Sequence, residues 1–244
     1  MNDIDLEVLD GVAVARFARP DCLNAFRRGT YTELRGIAER FEREASWHAL
    51  VLTGTGRAFC AGQDLDDIAG MDASAEAVAG AIADIQGITR ALAASSKPTL
   101  AAVNGLAVGF GLECTLAADL RITVPSAYFM LPELGRGLFH TNGTYHYLPA
   151  LVGLGLATDM ILTGRRIDAT EALSMGLVSR VIPDADLASQ ALEIAGRLAA
   201  LDARALAWSR RCLRDQGPRT QLDAALQFET TACLDLLTRT KSVP

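Results

Sequence analysis

Val103-Asn104-Gly105-Leu106-Ala107-Val108-Gly109-Phe110-Gly111-Leu112-Glu113 is the stretch on which the fold turns. A short apolar run, Thr99 to Val103, stops at Asn104-Gly105, and small residues then lead into a helical start at Phe110. The same design appears earlier in Arg57-Ala58-Phe59-Cys60-Ala61-Gly62-Gln63-Asp64, downstream of the apolar run Ala49 to Thr53. Small side chains where a strand ends and a helix begins let a ligand approach the backbone closely. The N–H groups freed at a helix start form a donor-rich, positive patch suited to a developing oxyanion. Two such patches facing one another would grip a single carbonyl oxygen from both sides.

Outward from these stretches, strands and helices alternate. Leu6 to Phe17 alternates about Asp10-Gly11 and reads as a β-hairpin. Helical spacing predicts helices from Thr30 to Arg43 and from Ala77 to Ala94, the second stopped by Lys97-Pro98. Strands are expected at Leu120 to Val124, near Ala127 to Met130, and finally at Leu177 to Ile182. Helical material from Gly143 to Leu162 should break near Pro149 and Gly153. Asp168-Ala169-Thr170-Glu171 reads as a capping box opening a short helix that Gly176 closes. After Pro183 the pattern is helical: Leu187 to Ala200, Ala203 to Asp215, and Thr220 to Thr238. The second half of that tail has no strand to pair with and reads as a separate helical layer. The class is α/β, with a strand spacing that suggests successive turns of a coil.

Composition narrows the function. The 244 residues are half hydrophobic, enough for one ordinary core. A net charge of −6, with no basic stripe, speaks against nucleic acid as a partner. Five scattered cysteines without metal-ligand spacing point to buried thiols in a reducing, cytoplasmic setting. The acidic start, Met1-Asn2-Asp3-Ile4-Asp5, lacks the apolar run of a signal peptide. Pro98 to Ala118 is apolar but interrupted by Asn104 and Glu113, so it reads as a buried strand–turn–helix rather than a membrane span.

The candidate chemistry rests on Glu113, one turn into the helix at the glycine-rich stop, and Glu133, directly after Pro132 on a loop. Two carboxyls in different surroundings commonly supply one acid and one base at neutral pH. The plainer alternative is that each caps a helix or pairs with an arginine such as Arg136. Asp64 and Asp119 read as structural, the first capping the segment after Gly62, the second closing the Phe110 helix. His48 reads as surface. His140 and His146 flank Thr141-Asn142-Gly143-Thr144, where loop hydrogen bonding or a place in the pocket are both open. No serine or cysteine sits in a nucleophile elbow, and Gly54-Thr55-Gly56 lacks the ending of a phosphate-binding loop.

Together these residues resemble the crotonase (enoyl-CoA hydratase/isomerase) superfamily. Arg19-Pro20 with Asn24-Ala25, Gly56 to Leu65, Ala102-Val103-Asn104-Gly105, Ala118-Asp119-Leu120-Arg121-Ile122 and Leu131-Pro132-Glu133 are family signatures in family order. Leu162-Thr163-Gly164-Arg165-Arg166-Ile167, with Ala172 and Gly176-Leu177-Val178, continues the series. The resemblance implies a spiral of ββα turns over residues 1–185. It also implies a helical oligomerisation region over 186–244, shorter than in many relatives, that builds a homotrimer or a dimer of trimers. It implies an oxyanion hole from the backbone N–H groups of Gln63 and Phe110, and catalytic roles for Glu113 and Glu133. An acyl-CoA thioester is the implied substrate, its coenzyme A running past Cys22, Leu23, Ala25, Ala61, Asp64 and Leu65. His140 and Thr141 are candidate pocket residues. No separate cofactor, metal, nucleic acid or membrane is expected.

The resemblance further implies a hydratase acting on trans-2-enoyl-CoA. An enoyl-CoA isomerase, or a CoA-ester-binding subunit with little catalysis, are the alternatives. Four departures bear on this choice. Phe110 stands where many hydratases have glycine. His140-Thr141-Asn142-Gly143-Thr144 replaces the family's Pro-Gly-x-Gly-Gly stretch, which helps to hold the catalytic water. The tail ends at Lys241-Ser242-Val243-Pro244, and Asp21 stands where a relative offers lysine to the nucleotide phosphates.

Overall fold

The computed structural model describes residues 2–70, 72, 74–214 and 219–238. Its elements begin with the hairpin β1 (Ile4–Leu9) and β2 (Val12–Phe17), then α1 (Arg28–Arg43), β3 (Ala49–Gly54) and β4 (Ala58–Cys60). α2 (Leu65–Ala69), α3 (Ala75–Ala94), β5 (Thr99–Val103), β6 (Leu106–Val108) and α4 (Phe110–Leu116) follow. Next come β7 (Leu120–Thr123), β8 (Tyr128–Met130), α5 (Thr144–Val152), α6 (Leu154–Thr163), β9 (Ile167–Asp168) and α7 (Ala169–Ser174). β10 (Arg180–Val181) and the helices α8 (Leu187–Ala199), α9 (Ala203–Arg214) and α10 (Arg219–Thr238) complete the chain.

Two sheets result, ordered β1-β2-β3-β5-β7-β10 and β4-β6-β8-β9. Each turn of the chain lays one strand in the first sheet and the next strand in the second, which is the coil the strand spacing suggests. Val12 pairs with Ala49, Leu50 with Thr99, and Leu100 with Leu120, all parallel. In the second sheet Ala58 pairs with Leu106 and Ala107 with Phe129, again parallel. The inner strands of the first sheet are buried on both faces, so β3 and β5 read as continuous apolar runs instead of alternating ones.

β4 and β6 were not legible as strands, because three residues are too few to show a period. The last strand is shorter than the Leu177 to Ile182 expected: only Arg180 and Val181 pair, with Ile122 and Thr123. Leu177 is buried, and its carbonyl accepts from the Arg121 guanidinium at 2.8 Å, which takes it out of any ladder. Pro149 does not break the helix either. It lies within α5, where its missing N–H deprives only the Tyr145 carbonyl of a bond, and the break falls at Gly153 alone.

Asp119 is structural, but in another way than a helix cap. Its Oδ2 accepts from the Thr99 N–H at 2.8 Å and from Arg210 Nε at 2.9 Å, while Oδ1 accepts from Arg214 Nη2 at 2.9 Å. It therefore pins α9 to the end of β5. Nor is the last helix a separate layer. α10 lies against α3 and α5, and the Gln86 amide on α3 donates to the Leu226 carbonyl and the Thr230 hydroxyl, both at 2.9 Å. Cys233 packs with Val78 and Ile82 of α3. The reason is the apolar face that α3 leaves uncovered by α1. The chain end, 239–244, lies outside the described residues.

Candidate active site

An aromatic cluster sets the first half of the site. Phe17, Phe26, Phe59, Tyr31 and Phe110 meet edge-on or tilted with ring centroids 4.7–5.2 Å apart. This packing fixes the start of α4, because the Phe110 ring is buried against Phe26 and Tyr31. Gly62 and Gly109 let the two donor stretches touch. Gly109 has φ +55°, and a Cβ on it would lie 2.7 Å from Glu133 Oε1; Gly62 has φ +99°, and a Cβ there would lie 2.9 Å from the Val108 carbonyl. Any other residue would push these loops apart.

The two expected donors stand free. Phe26 N–H donates to the Gly62 carbonyl and Asp64 N–H to the Phe26 carbonyl, both at 2.8 Å, so the Gln63 N–H between them faces away from Phe26. Phe110 is the first residue of α4 and follows Gly109, whose own N–H donates to the Met130 carbonyl. Among the described residues, neither the Gln63 nor the Phe110 N–H donates a backbone hydrogen bond. Both residues line one cleft, which encloses about 850 Å³ with its open mouth.

Glu113 and Glu133 line that same cleft. Glu113 is buried on α4, and its Oε1 accepts from the Thr144 hydroxyl at 2.5 Å. Burial, and next the neighbouring charge of Glu133, push its carboxyl up to about 7, against the opposing pull of His140 and Thr144. Glu133 lies between Gly109 and His140: its Oε2 is 3.0 Å from His140 Nε2. That approach is close but off the N–H direction, so neither atom has an aligned hydrogen bond. Among the described residues neither glutamate pairs with Arg136, which is exposed at the cleft.

The 140–144 loop is tied down from three helices. The Asn142 amide oxygen accepts from Thr89 on α3 at 2.5 Å, and Thr144 reaches Glu113 on α4. Glu229 on α10 accepts from the Gly143 N–H at 2.9 Å and from the Tyr145 N–H at 3.4 Å. Glu229 is fully buried; burial drives its carboxyl up to about 8, with Glu113 adding to the effect and the Gly143 N–H opposing it. His140 is also fully buried. Burial alone would lower its pKa, but Glu133, Glu113 and Glu229 together raise it. Of the two expected pocket residues Thr141 lines the cleft, whereas His140 lies behind its lining; His146 is also outside the lining and His48 is exposed.

Of the residues the resemblance assigns to coenzyme A, Ala61 and Leu65 line the cleft. Cys22, Leu23, Ala25 and Asp64 do not, although Leu23 and Asp64 adjoin residues of the lining. The Leu23 carbonyl accepts from the Ala61 N–H at 3.0 Å, and Asp64 caps α2 while pairing with Arg19 at 3.0 Å. The far wall is apolar, made by Ile68, Val78, Ile82 and Ile85 with Phe139 and Cys233. Sequence reasoning did not single out Thr144, Glu229, Tyr31 or Cys233. Glu229 carries no local signal, since it is one acidic residue on a polar-looking helix 96 positions beyond Glu133.

A sequence model of the family described as enoyl-CoA hydratase/isomerase matches residues 7–242. The chain belongs to this family. Among relatives, it is 34% identical over 233 residues to the short-chain-enoyl-CoA hydratase of Clostridium acetobutylicum, covering 95% of this chain and 88% of that protein. It is 38% identical over 210 residues to 4-chlorobenzoyl coenzyme A dehalogenase-2 of an Arthrobacter species, covering 82% and 73%. The crystal structure of an enoyl-CoA hydratase/isomerase from Pseudoalteromonas atlantica T6c superposes with a TM-score of 0.89 at 30% identity, covering 98% of this chain and 92% of that one. The coil of β–α turns followed by α8–α10 is thus the enoyl-CoA hydratase/isomerase fold. No helix among the described residues is long and apolar enough to cross a membrane.

Proposed function

We propose that the protein is an enoyl-CoA hydratase, adding water reversibly and syn across a trans-2-enoyl-CoA to give a 3-hydroxyacyl-CoA. The observation that carries this reading is the convergence of Glu113, Glu133 and the unbonded N–H groups of Gln63 and Phe110 on one cleft. In this mechanism the two N–H groups hold the thioester oxygen as it takes on enolate charge. Loss of one such donor typically costs about 3 kcal/mol of transition-state stabilisation. Glu113 takes a proton from the water that attacks carbon three, and Glu133 delivers a proton to carbon two. The acyl chain runs along Ile68, Val78 and Ile82, and coenzyme A leaves past Ala61 and Leu65. No cofactor is required, because the thioester itself provides the electron sink.

The Clostridium relative supports hydration, while the dehalogenase shows that related chains do other acyl-CoA chemistry. Double-bond isomerisation is the second reading, favoured by the His140 imidazole standing beside Glu133. We further assign subunit contacts of a trimer to residues 186–244, where Trp208, Leu213 and Phe228 are exposed. Light scattering checks that assignment.

The test of function follows the conjugated enoyl absorbance of crotonyl-CoA with the wild type beside a Glu113→Gln/Glu133→Gln double variant. Rapid loss in the wild type alone is the expected result. Folded wild type that binds crotonyl-CoA without turnover would sink the hydratase reading in favour of a binding protein. Proton exchange at carbon two without net hydration would point to the isomerase.

A further inference from the structure

We propose that His140 is a positioning residue for Glu133: a buried imidazole ring, steadied by Tyr145, that keeps the carboxyl aimed over Gly109, from where it delivers its proton to carbon two. The proposal rests on the hydratase reading for its kinetic consequence, but its geometry stands apart from it.

Glu133 has little freedom. One carboxylate oxygen occupies the space that a side chain on residue 109 would fill, and the other lies 3.0 Å from His140 Nε2. Glu133 Oε2 and His140 Nε2 are buried and have no aligned hydrogen bond to any other group among the described residues. Two buried polar atoms left unpaired are costly. A small rotation of either group brings a proton between the two atoms and removes that cost, so ring and carboxyl hold one another in place. The other ring nitrogen, Nδ1, lies 3.2 Å from the Tyr145 hydroxyl. A tyrosine hydroxyl either donates or accepts, so it satisfies Nδ1 in the neutral ring and in the imidazolium alike. The Tyr145 ring is itself stacked on Phe139, with centroids 5.0 Å apart.

The groups acting on His140 come from every side. Glu133 approaches from the loop after β8, Glu113 from α4, Glu229 from α10, and Tyr145 from α5. Three of these four are carboxyls, which explains why the ring's pKa rises despite complete burial. The lowered pKa of His146, a few residues away and without such neighbours, gives an internal contrast.

The experiment has two arms. In the first, imidazole resonances of the three histidines are titrated by NMR in the wild type and in Glu133→Gln. His140 should titrate above His146 in the wild type, and its midpoint should fall by about one pH unit or more in Glu133→Gln. An unchanged midpoint in a folded Glu133→Gln protein, or a wild-type His140 titrating below His146, overturns the proposal. In the second arm, kcat/KM for crotonyl-CoA is followed against pH. His140→Gln should lower kcat by about tenfold or more with KM little changed, and move the acid-side midpoint upward, because the ring no longer pulls the Glu113 carboxyl down. Tyr145→Phe, which keeps the ring and its stacking, should move it the same way by less. A merely structural His140 would lower activity at every pH without moving the midpoint, and that outcome refutes the positioning role. If the wild type fails to turn over crotonyl-CoA, the hydratase reading falls while the NMR arm still decides the pairing.

Discussion

Replacing Glu229 with glutamine should reverse the sign of its effect on stability as pH rises. Glu229 is fully buried on α10, and folding raises its carboxyl from 4.5 to about 8. The native state therefore binds this proton more tightly than the unfolded chain. The stability it contributes is fully present below about pH 4.5 and is lost as pH rises through about 8. At about 1.4 kcal/mol per pH unit, the loss amounts to roughly 5 kcal/mol at pH 8 and above, and roughly 3 kcal/mol at pH 7. Glutamine does not titrate and so escapes the loss. It still accepts from the Gly143 N–H, but its amide NH2 then faces the Tyr145 N–H 3.4 Å from the present oxygen. That donor–donor contact costs about 1 kcal/mol. Glu229→Gln should accordingly be less stable than wild type at pH 4.5, equal at about pH 5, and more stable by roughly 2–5 kcal/mol at pH 8.5. Urea unfolding followed by tryptophan fluorescence at several pH values, at constant ionic strength, measures the difference directly. Titration of Glu113 is present in both proteins and largely cancels. A stability difference that stays constant between pH 4.5 and 8.5 would refute the claim that Glu229 is protonated in the native state.

Further outcomes follow from the same geometry. Gly109→Ala places a methyl group 2.7 Å from Glu133 Oε1 at a left-handed φ; turnover should fall about 100-fold or more while far-UV circular dichroism is preserved. Asp119→Asn leaves the Arg210 and Arg214 guanidinium groups without their carboxylate. It should destabilise the protein by about 3 kcal/mol in denaturant unfolding at pH 7. The wild type should lose the same contribution in strong acid: burial would raise the Asp119 pKa, but Arg214 and Arg210 outweigh it and hold it below 3.8. Cys233→Phe fills the apolar end of the cleft against Val78 and Ile82. The ratio of kcat/KM for a long-chain enoyl-CoA to that for crotonyl-CoA should drop about tenfold or more; an unchanged ratio would mean that the acyl chain takes another route.

Much of the framework was legible because it is written in local chemistry. The strand ends at Val103 and Gly54, the capping box at Asp168, whose side chain accepts from the Glu171 N–H at 2.8 Å, and the helical face of α1 each depend on neighbours within a few positions. Short elements escaped for the same reason: Ala58–Cys60 and Leu106–Val108 are too brief to carry a period, and only their pairing makes them strands. Glu113 and Glu133 were identifiable as candidates from their positions; the glycine-rich turns pointed to two donor patches, and the family resemblance assigned these to the N–H groups of Gln63 and Phe110. What surrounds those groups was not identifiable. Thr144 donating to Glu113, His140 beside Glu133 and Glu229 capping Gly143 join residues 31, 7 and 86 positions apart.

By itself the sequence determined the α/β class, the two donor-bearing turns, the pair of candidate carboxyls and the likeness to one family, since each is carried by residue type and short-range order. Only the tertiary structure decided that α10 folds back onto α3 and α5, that Cys233 closes the apolar end of the cleft, and that the Glu113 carboxyl is raised. A pKa depends on burial and on charges brought near through space. Neither exists until distant segments pack, and no window along the chain contains them.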